Sequence, residues 1–172
     1  MSLLSLLNLL RLLYRALDLL FKFFTSWCLR IVPPLFLRDL YRACSSPTHE
    51  SPPKTPHYSP MLHNALVSLA LAFLDEPQFN DIKVRQQYAN MAKSFIEPEC
   101  RKPNLSVVHA LSMLASFHSS QGDQTLGYMY FGMNIAASFH QCLLNSIVSY
   151  RNECTYVTSM YVQRLFAICS SY

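Results

Sequence analysis

Four hydroxyl side chains stand directly before proline in the stretch SSPTHESPPKTPHYSP (45–60): Ser46, Ser51, Thr55 and Ser59. A Ser/Thr-Pro pair is what a proline-directed kinase reads, and phosphate on such a hydroxyl adds nearly two negative charges and three strong acceptor oxygens. These four residues are therefore candidate phosphorylation sites. The rival reading is structural: the pairs are turn chemistry on a tether, and Ser59-Pro60 opens a helix, Ser as N-cap and Pro in the first turn.

Other reactive side chains combine poorly. His49, His57 and His63 follow Cys44, but spacings of eight and six across a proline-rich loop fit no metal pattern, and no carboxylate partner is evident. The six cysteines, at 28, 44, 100, 142, 154 and 169, are never closer than twelve residues, so no C-x-x-C or finger-like spacing exists. Reduced thiols are the expectation. There is no G-x-S-x-G, no paired carboxylate in an apolar context and no Gly-rich phosphate loop. We expect no catalytic residues, no metal ligands and no enzyme.

The chain has only three glycines, and all fall in one stretch, at Gly122, Gly127 and Gly132, beside Tyr128 and Tyr130. Gly122 reads as a helix stop. Gly127 and Gly132 then lie inside the returning helix, where each costs roughly 1 kcal/mol relative to Ala. Close approach of a neighbouring helix is the expected reason for them. Gly122, Gly127, Gly132, Tyr128 and Tyr130 are thus assigned to helix packing.

The elements that must position these residues are helical. Half of the 172 residues are apolar, charged residues make up 14%, and no segment alternates in strand fashion. In the first segment Asn8, Arg11, Arg15, Asp18 and Lys22 fall at steps of 3, 4, 3 and 4, on one wedge of a helix whose wide apolar face packs into the domain. That helix must end before Pro33-Pro34, and LFLRDLYRAC (35–44) forms a short one. No regular element survives the prolines of 45–60. MLHNALVSLALAF is apolar nearly all round, hence a central buried helix. In 78–99, Phe79, Ile82, Tyr88, Ala92, Phe95 and Ile96 recur at helical spacing, with Lys83, Arg85 and Lys93 in the intervening positions. His109 and His118 share one helix as partly buried polar residues.

These readings divide the chain into an N-terminal amphipathic helix plus short helix (1–44), a Pro-rich loop (45–60), two helical hairpins (61–141) and a C-terminal helix (142–172). The fold class is all-α, a bundle of antiparallel helical hairpins. The net charge of +4 is too small to argue nucleic-acid binding. No stretch reaches the ~18–20 uncharged apolar residues of a membrane-spanning helix, so no membrane partner is expected.

Several segments in series resemble the fungal-specific transcription factor domain, the middle homology region of zinc-cluster regulators. They are TSWCLRIVPPLFLRDL, PHYSPMLHNALVSLALAFLDEP and KPNLSVVHALSMLASFHSSQGDQTLGYMYFGMNIAA. PPLFLRDL stands for the short helix after a proline-containing segment, and MLHNALVSLALAF for the apolar helix ending in Asp75-Glu76. Ser106, Ala110, Leu111 and Leu114 match S-x-x-x-x-x-A-L-x-x-L. Gly122, Tyr128, Tyr130, Gly132 and Met133 match the tyrosine-rich G-M-A-like helix. The resemblance covers roughly residues 12–140, and nothing aligns after 140.

The resemblance implies a transcription-regulatory domain in the nucleus, working through protein-protein or effector contacts. Its partners would be other protein segments or subunits of the transcription machinery, with self-association a further expectation. The six-cysteine cluster that holds two zinc ions in the family is absent, so no cofactor is expected here. Zinc, and DNA contact through it, would belong only to an intact family member. The domain would then be a truncated form of a larger one. The alternative is a helical-repeat scaffold unrelated to transcription, since 61–97 and 104–141 are both helical pairs of about the same length.

Overall fold

The computed structural model describes residues 3–25, 31–45 and 54–148. Among them every regular element is helical: α1 (Leu3–Leu20) running into a π-helical turn (Phe21–Thr25), α2 (Pro33–Ser45), α3 (Pro60–Ala70) with a 3₁₀ turn (Leu71–Phe73), α4 (Pro77–Asn80), α5 (Ile82–Ser94), α6 (Ile96–Cys100), α7 (Leu105–Ser120) and α8 (Gln124–Val148). The all-α class stands.

Local chemistry sets the helix ends. Ser59 is extended (φ −152°), its hydroxyl accepts from the Leu62 amide, and Pro60 opens α3. The missing Pro N–H would have had no partner in the first turn, which is why Pro is harmless there. The same rule lets α2 begin on Pro33 itself rather than after both prolines. Asn104 caps α7 by accepting from the Val107 amide. Gly122 takes a left-handed conformation (φ +81°), with the amides of Gly122 and Asp123 bonded back to Ser119 O and His118 O. That pair of bonds satisfies the last carbonyls of α7 and turns the chain sharply. Asp123 then accepts from the Leu126 amide and starts α8.

The core lies where α3 and α7 meet α1, α5 and α8. α3 and α7 are apolar around most of their circumference because neighbours cover both sides. Met61, Leu62, Leu66, Leu111, Met113, Leu114 and Phe117 are all fully buried. At the 1.5–3 kcal/mol typical of burying one such side chain, this layer is the main source of stability. α1 contributes Ala16, Leu17 and Leu20 from its apolar face, while Arg15 reaches Asp75 and Glu76 at 3.6 and 3.7 Å.

One expectation fails in α5. Ala92 is buried as its place in the pattern requires, but Ile82 and Tyr88 are substantially exposed, and Arg85 and Ala89 turn inward. The segment is broken at Asp81, which caps α5 through the Lys83 amide, so Phe79 and α5 share no common helical phase. The histidines also sit deeper than expected, His109 and His118 both being buried. α8 runs through position 142, where the sequence reading places a boundary, to Val148. No helix among the described residues is long and apolar enough to cross a membrane.

Candidate functional site

Two regions gather the residues singled out in the sequence: the α7–α8 pair and the segment 54–59.

At the first, Gly127 is buried against α7. A Cβ there would overlap the Ser119 hydroxyl and stand 3.4 Å from the Ala115 carbonyl oxygen. Gly132 is different: it is exposed, and nothing among the described residues lies within 4 Å of a Cβ built on it. Tyr128 is 54% exposed. Tyr130 is half-buried and stacks on His118, ring centroids 5.4 Å apart. The packing contact in the structure is therefore at Gly127 and Tyr130.

Between the two helices lies a buried polar pair that sequence reading passed over. The Asn134 side-chain amide donates to Val108 O and to Ser112 Oγ, the latter at 2.8 Å. Asn134 sits two residues beyond Gly132 in an apolar run, and an Asn flanked by Met133 and Ile135 in a buried helix was the available signal. Leu126, Met129 and Met133, at helical spacing, leave a partly exposed apolar row on α8, and Phe139 is exposed on another face of the helix. Beside it a cavity of about 310 Å³ is lined by Cys100, Arg101, Leu111, Met133, Ala137 and His140. Its floor is apolar, and its two basic groups come from α8 and from the residue after α6. A second cavity, about 430 Å³, lies between α1 and α2, lined by Tyr14, Leu17, Phe21 and Leu37.

The second region is the segment 54–59, which is bonded at every turn. The Thr55 hydroxyl donates to Asp39 Oδ2 of α2 at 2.8 Å and accepts from the amides of His57 and Tyr58 at 3.2 and 2.9 Å. The Thr55 carbonyl accepts from Asn104 Nδ2 at 3.0 Å, which joins the segment to the start of α7. Lys54 Nζ donates to Glu99 O and Lys102 O, both at 2.6 Å. The Met61 amide donates to Glu99 Oε1 at 2.9 Å. Tyr58 is buried against Phe36, and that burial pushes its hydroxyl up to about 12. Asp39 is 3% exposed; the hydrogen bond from Arg38, at 2.7 Å, holds its carboxyl below the usual range despite the burial.

Of the four hydroxyls before proline, Thr55 and Ser59 can be placed, and Ser46 and Ser51 lie outside the described residues. Ser59 is fully buried as the α3 cap. Thr55 is half-buried and Pro56 is exposed. His57 and His63 stand at the same end of α3, with His63 against the Tyr58 ring at 6.2 Å; His49 lies outside the described residues. No three His, Cys, Asp or Glu side chains converge among the described residues. Cys44 and Cys100 are free thiols. Cys142 is disulfide-bonded, which corrects the expectation of reduced thiols at that position.

Compared with known proteins, the chain matches the family described as the fungal specific transcription factor domain, over residues 17–166. No curated protein and no solved structure matches it. The match continues past residue 140, the end of the segments whose motifs carry the resemblance.

Proposed function

Because the chain belongs to the fungal-specific transcription factor domain family, we propose that it is a transcription-regulatory domain of a fungal zinc-cluster factor. It acts in the nucleus through contacts with other protein segments or with an effector, and it is a regulatory rather than a catalytic unit. The observation that carries this reading is the extent of the family match, 17–166 of 172 residues.

The geometry supports contact-based action. The cavity beside α8 falls at the lower end of the size range of small-molecule sites, ~300–1,000 Å³, and pairs an apolar floor with Arg101 and His140 at its lining. The adjoining row of Leu126, Met129 and Met133 suits an adaptable protein contact. DNA would be reached only through a zinc cluster, which the cysteine spacing of these residues does not provide.

The test is a reporter assay in a fungal cell, with the full chain fused to an unrelated DNA-binding domain and its nuclear presence checked by microscopy. A change of several-fold in reporter output, relative to the DNA-binding domain alone, is the expected result. A fusion that reaches the nucleus and leaves the reporter unchanged overturns the reading and leaves the scaffold alternative in its place.

A further inference from the structure

We propose that Thr55 is a phosphorylation site whose modification releases the segment 54–59 from the helices it ties together. The inference is independent of the transcription reading, because it rests on the bonding of one hydroxyl.

That hydroxyl oxygen has no free direction. A threonine oxygen offers one O–H donor and two lone pairs. Here the proton goes to Asp39 Oδ2 at 2.8 Å, the nearer of two acceptors (Tyr58 O stands at 3.4 Å), and the lone pairs receive the amides of His57 and Tyr58. Phosphorylation replaces the proton, so the phosphorus must point where the Asp39 carboxylate oxygen already stands. The conflict is one of position: Asp39 is 3% exposed and held by Arg38 and Arg42, at 2.7 and 3.7 Å from its Oδ1, so its Oδ2 cannot move aside for the phosphate while the segment stays seated. The seated segment and the phosphorylated one therefore exclude each other.

Access and consequence follow from the same geometry. The Thr55-Pro56 pair lies in irregular backbone with Pro56 at the surface, and release of a few side-chain bonds frees the hydroxyl. In the transfer, the Thr55 oxygen forms a bond to the γ-phosphorus of ATP and the bond from that phosphorus to the bridging oxygen breaks. ADP leaves, and the hydroxyl proton passes to the kinase's base. The product cannot reseat, so the kinase converts a transient opening into a lasting one. Released with Thr55 are the bonds to Asn104 and Asp39 and the packing of Tyr58 on Phe36. Ser59 is not equivalent: it is fully buried as the α3 cap, and exposing it means unwinding the start of α3.

The experiment treats the full chain with a proline-directed serine/threonine kinase and ATP, maps phosphate by mass spectrometry, and follows amide hydrogen exchange before and after. We expect phosphate on Thr55 and exchange in 54–61 faster by about tenfold or more, as for loss of a charged hydrogen bond, with 105–120 unchanged. Asp39→Ala, which removes the competing acceptor, should be labelled at Thr55 several-fold faster than the parent. Absence of phosphate at Thr55, phosphate there with unchanged exchange in 54–61, or equal acceleration across 105–120 would each overturn the proposal. The exchange measurement on the parent chain stands even if Asp39→Ala fails to fold.

Discussion

The guanidinium carbon of Arg85 lies 5.6 Å from the centroid of the Phe117 ring, and its Nε donates to Ser68 O at 3.1 Å. One charged side chain of α5 thus joins α3 and α7 inside the core, at 9% exposure. Burial lowers its affinity for the proton without discharging it, because a guanidinium stays charged across the physiological range. Both the ring and the carbonyl are needed to make that burial tolerable.

Arg85→Lys keeps the charge and loses the flat stacking surface and the Nε bond. We expect a loss of roughly 1–2 kcal/mol in urea unfolding. Phe117→Leu should cost less in the Arg85→Lys background than in the parent, since the two side chains share one interaction. An unchanged unfolding midpoint for Arg85→Lys would show that the pair contributes nothing.

His109 gives the chain an acid sensitivity. Burial, with a smaller contribution from the charge of His57, holds it down to about 4, whereas the unfolded chain titrates it near ~6.5. Between those values the unfolded chain takes up a proton that the fold refuses. Stability therefore rises with pH from about 4 to about 6.5 and levels off above, with roughly 3 kcal/mol lost on full acidification. His63 and His118 are also lowered by burial and act in the same direction. His109→Gln should flatten most of this dependence in unfolding curves taken from pH 4.5 to 7.5. A slope equal to the parent's would place the effect elsewhere.

The three glycines should respond differently to alanine. Gly132→Ala meets empty space among the described residues and should stabilise by up to about 1 kcal/mol through helix propensity alone. Gly127→Ala forces the Ser119 hydroxyl to rotate and crowds the Ala115 carbonyl, so the same gain should disappear. Adding Ser119→Ala should restore part of it. Gly122→Ala should cost about 1 kcal/mol, because an L side chain strains at its positive φ. Thermal melts of the four variants check the order, and equal gains at 127 and 132 would contradict the close contact.

Asn134→Ala should destabilise by about 1–3 kcal/mol, the range for removing a buried hydrogen-bonding group. Asn134→Asp is the sharper variant: it turns a donor that faces Val108 O and Ser112 Oγ into an ionised acceptor. It should be less stable than Asn134→Ala at neutral pH and recover on acidification as the carboxyl protonates. Parallel pH profiles for the two variants would show that Asn134 does not donate there.

What was legible in the sequence was local. Ser59-Pro60 and Gly122 each begin or end a helix through bonds within five residues of themselves. The apolar periodicity of α1, α3 and α7 was sufficient for the all-α class, because a helix apolar on several sides must be covered. Tertiary structure decided where charge and polarity go. Arg85 faces inward because a ring on α7 and a carbonyl on α3 await it, and neither has any sequence relation to it. Glu99 bonds the Met61 amide, 38 residues away, and Thr55 bonds Asp39 across a segment that reads only as a proline loop. Gly127 and Gly132, alike in the sequence, separate because a helix presents them about half a turn apart, one toward Ser119 and one away. Propensity acts over one turn of backbone, whereas the partner that makes a buried polar group affordable arrives only when distant helices pack.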